Sequence, residues 1–263
     1  MGRRQERLDT EERSRYTAST FKKDPMTFSN WQETESDGSP MRVYLSAPAG
    51  AGPFPGMVVM QHQGGVDNFI QQITQRLAQA GYLAAAPDLY HRDGPDCQDD
   101  IVARRSRLSD RRIINDVAAT VASLQCQNGA DGASLGVLGF CMGGRLAYLM
   151  AATNPAFKVA VAYYAGNTFR AWGRDIPSPF ERTSNIHCPL QAHFGAEDTN
   201  PSPQDMEKLD TELTRCNKPH EFHSYLNAGH AFMDNTKESY RQHADQASWP
   251  KTLEFLRRHL KGR

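Results

Sequence analysis

From Pro55 to the C-terminus the chain alternates between short apolar runs and stretches whose apolar residues recur at helical spacing, and no other feature restricts its fold so tightly. The runs PGMVVMQH (55–62), YLAAAPDLY (82–90), LGVLGFC (135–141), FKVAVAYYAG (157–166) and PLQAHFGAED (189–198) lack the every-other-residue polarity of a half-exposed strand. They read as strands buried on both faces. EFHSYLNAG (221–229) follows as the last strand. Between the strands, Ile70, Ile73, Leu77 and Ala80 keep helical spacing up to a stop at Gly81. One long helix is expected from about Asp99 to Gln125, with Ile114, Val117, Val121 and Leu124 on one face. Further helices are expected over MGGRLAYLMAA (142–152), near 203–216 and around 249–261, the last with Pro250 in its first turn. Ahead of all these, TFSNWQETE and MRVYLSAP flank Asp37-Gly38, a dipeptide that tolerates positive φ, and predict a hairpin. The expected fold is α/β: a mostly parallel central sheet with helices on both faces and an N-terminal β-hairpin.

At 263 residues such a succession needs only one core, and no repeat or linker divides it. Residues 1–26 read as a polar extension, too sparse in apolar residues to build a face, and 27–263 as a single domain. Lys+Arg and Asp+Glu are balanced at 30 each, which argues against nucleic acid or an anionic membrane as the main partner. No run approaches the roughly eighteen apolar residues of a membrane span. The charged N-terminal segment does not resemble a secretory signal, so a cytoplasmic location is expected. The five cysteines are scattered and contain no C-x-x-C pair, a pattern of reduced thiols rather than of a disulfide framework or a zinc site. No metal or organic cofactor is implied, and the oligomeric state is left open.

Chemistry concentrates at Gly139-Phe140-Cys141-Met142-Gly143-Gly144, where an apolar strand gives way to a helix rich in small residues. Glycines there permit a sharp strand-to-helix turn that lifts Cys141 above the sheet, although a free cysteine can equally be core. A helix N-terminus favours thiolate, and the Met142 N–H would face a developing oxyanion. A cysteine nucleophile needs a base, and the base needs an orienting acid. His230, in the turn after the last strand, and Asp198, ending QAHFGAED, fill those roles in chain order, with the adjacent Glu197 an alternative acid. The loop His62-Gln63-Gly64-Gly65 stands where a second oxyanion donor is expected, the Gln63 N–H, unless it is only a glycine turn. His62 is a candidate imidazolium beside the cysteine. Trp172, with Phe169 and Phe180 in the long segment 167–185, could roof a pocket. The five arginines from Arg104 to Arg112 could orient an acid, but read first as a solvated helix face.

Taken together, the Asp37-Gly38 hairpin, PFPGMVVMQ, RLAQAGYLAAAPDLY, GFCMGG, FGAED and AGHAF make the chain resemble the dienelactone hydrolase family of α/β-hydrolases from about Thr27 to Leu260. The resemblance implies an α/β-hydrolase fold and hydrolysis of a small-molecule ester or lactone through a Cys141-His230-Asp198 triad and a thioester. Acyl transfer or thioester cleavage on the same triad, and a silent thiol-sensing binding protein, are the rival readings. It also implies that Arg92, in PDLYHR, helps hold a substrate carboxylate. Two positions depart from the family pattern: His62 replaces a glutamate tied to cysteine activation, and Asp234 replaces a second carboxylate-binding arginine. An anion at 234 is expected to repel an anionic substrate.

Overall fold

In the computed structural model, residues 27–94 and 96–261 are described, so the expected extension 1–26 lies outside them. Strands β1 (Thr27–Ser36) and β2 (Ser39–Pro48) form the hairpin. Its turn residues Asp37 and Gly38 have φ of 50° and 71°, the two consecutive positive values that match a two-residue turn to right-handed strand twist. The remaining strands are β3 (Phe54–Met60), β4 (Leu83–Pro87), β5 (Ala130–Phe140), β6 (Phe157–Tyr163), β7 (Leu190–Gly195) and β8 (His220–Tyr225). They assemble in the order β1-β2-β4-β3-β5-β6-β7-β8. β2 runs antiparallel to β4, and every pairing from β4 to β8 is parallel. The polar-alternating hairpin therefore takes the edge, and the apolar β3 and the buried second half of β5 (135–140) take the centre.

Helices α1 (Asn68–Gln79), α2 (Ile101–Ser106), α3 (Asp110–Gln125), α4 (Met142–Thr153), α5 (Pro203–Arg215) and α6 (Gln242–Leu256) cover both faces. One core packs Ile113, Val117 and Leu124 of α3, Leu146 of α4 and Leu209 of α5 under the sheet. The other packs Ile70, Ile73 and Leu77 of α1 against Trp249 and Phe255 of α6. Local chemistry sets the starts. Asp67 accepts from the Ile70 N–H, and Ser202 and Asp205 form a reciprocal capping box ahead of α5.

Two expected helices differ. The stretch 99–125 is two helices, because Ser109 accepts from the Arg112 N–H and starts α3 afresh; α2 before it buries none of its residues. Within α3 the buried face centres on Ile113, Val117 and Thr120, leaving Ile114 half-buried at its edge. The last helix begins at Gln242 rather than near 249, which puts Pro250 in its interior. Its first two turns bury only Ala244, Ser248 and Trp249, small or isolated residues that draw no apolar stripe in the sequence. Proline there removes one backbone bond, a loss offset by burial of Thr252, Phe255 and Leu256 in the following turns.

No helix among the described residues is long and apolar enough to cross a membrane.

Candidate active site

β5 ends at Phe140 and α4 begins at Met142, so Cys141 alone makes the turn, with φ 57° and ψ −117°. That backbone costs a non-glycine residue about 1 kcal/mol or more and persists because its surroundings fix it. The Cys141 N–H donates to the Tyr163 carbonyl at 3.0 Å, and its own carbonyl accepts from the Arg145 N–H at 3.2 Å. Close approach fixes the rest: a Cβ at Gly139 would strike the Gly143 carbonyl, and one at Gly143 would strike the Met60 carbonyl. Cys141 touches both hydrophobic cores, at the C-terminal edge where open parallel sheets place their sites.

The turns after β7 and β8 are joined, Glu197 N–H donating to Ala228 O at 2.9 Å, and they bring acid and base together. His230 Nδ1 donates to Asp198 Oδ2 at 2.9 Å, and Asp198 Oδ1 accepts from the Asn200 N–H at 2.9 Å. Asp198 is buried, whereas the neighbouring Glu197 is exposed and contributes only backbone. With Nδ1 committed, Nε2 is the nitrogen left to hydrogen-bond Cys141. The Tyr164 ring packs edge-on to His230, centroids 5.1 Å apart. Burial pushes the Cys141 thiol up. The His230 hydrogen bond and charge, the Met142 N–H and the charge of Lys237 outweigh it, and the thiol lies below its ordinary value. Burial likewise opposes charge on His230, but hydrogen bonds to Asp198 and Cys141 push it up to about 10. Each group thus favours the charged form of the other, easing the thiol toward thiolate and the imidazole toward imidazolium.

Opposite stands the loop after β3. Tyr90 OH donates to the Gln63 carbonyl at 2.8 Å and Arg105 Nη1 donates to Gln63 Oε1 at 3.0 Å, while the Gln63 N–H has no acceptor among the described residues. His62 does not serve as the expected imidazolium. Its Nδ1 accepts from the Gly64 N–H at 3.1 Å, so that nitrogen carries no proton, and Nε2 donates to Asp67 at 2.9 Å. His62 is thus a neutral strut that ties the loop to the start of α1.

A cavity of about 200 Å³ opens above Cys141, walled by Gln63, Phe69, Tyr164, Trp172, Arg105 and Lys237 among others. Trp172 is placed by a buried ion pair that the sequence did not announce. Arg145 of α4, fully buried, meets Asp110 of α3 through two bonds of 2.7 and 2.9 Å, and its guanidinium lies 4.0 Å from the Trp172 ring centroid. Asp110 Oδ2 accepts from the Trp172 N–H at 3.1 Å, and Arg145 also donates to the Arg170 carbonyl at 2.6 Å. Among the described residues no group of three or more His, Cys, Asp or Glu side chains is arranged to hold a metal ion.

The sequence profile of the dienelactone hydrolase family matches residues 41–260. The chain belongs to the dienelactone hydrolase family. It is 34% identical over 232 residues to a Yersinia pestis protein named "Putative carboxymethylenebutenolidase", covering 85% of this chain and 86% of that one. It is 30% identical over 238 residues, 89% of this chain and 96% of the other, to a Bradyrhizobium protein named "Probable 2-oxo-3-(5-oxofuran-2-ylidene)propanoate lactonase". Among solved structures it resembles a "Putative Dienelactone Hydrolase" from Klebsiella pneumoniae, with TM-score 0.82, 30% identity, and coverage of 88% of this chain and 98% of that one. Membership makes the chain an α/β-hydrolase acting on the ester and lactone class.

As a dienelactone hydrolase family member it nevertheless distributes its charges in its own way. Arg92 does not face the cavity: it is bound to Asp116 by bonds of 2.9 and 2.8 Å and to Asp37 at 3.1 Å, tying the hairpin turn to α3. The guanidinium in the cavity wall is Arg105, which has no carboxylate within ion-pair distance among the described residues. It lay unseen in a cluster of five arginines, since spacing alone does not say which one faces inward. Asp234 is at the cavity, but not as the open anion expected. Burial pushes its carboxyl up, while the Lys237 ammonium at 2.8 Å and two bonds from Thr236 outweigh that and hold it below its ordinary value. Lys237, three residues on, thereby cancels the repulsion that Asp234 alone would exert.

Proposed function

We propose that this hydrolase cleaves a small carboxylic ester or lactone through a thioester on Cys141, with His230 as proton carrier and Asp198 as its orienting acid. The observation that carries the reading is the 2.9 Å bond between His230 and Asp198 in the cavity that Cys141 shares with His230 at the N-terminus of α4, where His230 and the Met142 N–H hold the thiol below its ordinary value. The thiolate adds to the carbonyl carbon. The Met142 and Gln63 N–H groups receive the oxyanion. Collapse breaks the C–O bond, and the imidazolium of His230 gives its Nε2 proton to the departing alkoxide. Neutral His230 then takes a proton from water as the hydroxide adds to the thioester, the C–S bond breaks, and acid is released with the thiolate–imidazolium pair restored.

The preferred substrates carry a negative charge. Asp234 and Lys237 balance each other, so the uncompensated charge in the cavity wall belongs to Arg105. The Bradyrhizobium relative, named for a lactone that is itself a propanoate, supports this preference. The test is turnover of matched neutral and carboxylate-bearing aryl esters and lactones by wild type and Cys141→Ala, with mass spectrometry of quenched wild-type protein. The expected results are an acyl adduct on Cys141 and loss of turnover in the variant. Full activity of Cys141→Ala would overturn the mechanism.

A further inference from the structure

Beyond the catalytic cavity lies a second one of about 410 Å³, lined by Val102, Leu108, Arg170 and Ala171. Arg105, Asn167 and Trp172 line both, so these three side chains form the partition between two chambers of one cleft. Its walls are α2 on one side and the segment after β6 on the other. Arg170 is exposed and has no ion-pair partner among the described residues; its main chain is engaged, the N–H donating to the Asn167 carbonyl at 3.1 Å and the carbonyl accepting from Arg145. The two unpaired guanidiniums of the cleft, Arg105 and Arg170, thus stand in series, one at the partition and one in the outer chamber, between apolar surfaces of Val102, Leu108 and Trp172.

Which part of a substrate reaches the outer chamber follows from the two faces of the sheet. His230 packs with Tyr164, whose ring belongs with Phe232 to the core beneath α1 and α6, whereas Trp172 packs on the core beneath α3 and α4. Cys141 sits between these cores. The leaving oxygen must face His230 to receive its proton, so the acyl carbon points the other way, toward Arg105 and Trp172.

We infer that the outer chamber is an acyl subsite, and that the enzyme takes acyl groups long enough to pass the Arg105–Asn167–Trp172 partition and ending in a carboxylate held by Arg170. The substrate class is therefore the half-ester of a medium-length dicarboxylic acid, its methylene chain lying against Val102, Leu108 and Trp172. This rests on the thioester reading above, and the experiment separates the two. Aryl half-esters of succinic, adipic and suberic acid are compared with aryl acetate, hexanoate and octanoate, using wild type, Arg170→Glu and Val102→Trp. Wild type is expected to favour suberate over octanoate about tenfold and suberate over succinate, the first ratio shrinking with added salt. Arg170→Glu is expected to lower the suberate-to-octanoate ratio about tenfold, since reversal both removes an attraction and adds a repulsion. Val102→Trp, which fills the chamber from an exposed helical position, is expected to lower kcat/KM for both long acyl groups relative to acetate. Turnover of short esters with a suberate-to-octanoate ratio near one, unchanged in Arg170→Glu, would overturn the subsite and leave the thioester mechanism standing. Absence of turnover and of any acyl adduct with every ester would overturn both.

Discussion

Replacing His230 by Asn tests whether the thiolate is held by its neighbour or by the helix terminus alone. In the folded protein, burial raises the Cys141 thiol, and the opposing terms are His230 first, then the Met142 N–H and Lys237. Removing the two His230 contributions leaves burial against the weaker pair, so the thiol returns to its ordinary 9.0 or above. At pH 7, two units below that, about one molecule in a hundred retains thiolate, fewer than in the wild type, whose thiol lies lower. The assay is the ultraviolet thiolate absorbance together with the pH midpoint of iodoacetamide alkylation, which reports protonation state independently of the lower intrinsic nucleophilicity of an acidic thiol. The midpoint is expected to move alkaline. The sign for catalysis follows from the same pair. Activity falls on the acid side as the thiolate takes up a proton. It falls again near His230's value of about 10, where the imidazolium loses the proton meant for the leaving alkoxide. A variant that keeps its wild-type alkylation midpoint while remaining folded by circular dichroism would refute the ion-pair account.

Three further outcomes are expected. Arg145→Met leaves the Asp110 carboxylate buried without its partner and strips the guanidinium from the Trp172 ring; it should cost about 3–5 kcal/mol in urea unfolding, with Arg145→Met/Asp110→Leu recovering part of the loss. Arg105→Ala should lower kcat/KM for carboxylate-bearing esters about tenfold more than for neutral ones, and equal losses on both would reassign Arg105 to support of Gln63 alone. Lys237→Met should expose the Asp234 charge to the cavity, raising KM for anionic substrates roughly fivefold with little change for neutral ones.

The order of strands and helices was legible because burial on both faces erases polar alternation in β3 to β7, and because capping residues such as Asp67 and Ser202 mark helix starts. The two misread helices failed where those signals are weak. In the 99–125 stretch α2 leaves even Ile101 and Val102 exposed, so no core-facing stripe sets it apart from α3, and the first turns of α6 are built of small residues around Trp249. At the site, Cys141 could be placed from its glycines, since the close contacts of Gly139 and Gly143 allow nothing larger. His230 and Asp198 could be placed from chain order and resemblance.

Charge balance could not be read in this way, because it depends on which side chains meet across the fold. A linear motif offered Arg92 as a substrate ligand, but Asp116 lies 24 residues further on and comes against it only when the hairpin packs on α3. Asp234 reads as a repelling anion until Lys237 is found folded back on it, and His62 reads as a cation until Gly64 and Asp67 fix which nitrogen holds the proton. Sequence determined the sheet and the elbow that carries Cys141, since these rest on local backbone requirements. Tertiary structure alone decided which arginine lines the cavity, because ion pairing and burial are set by neighbours distant in the chain.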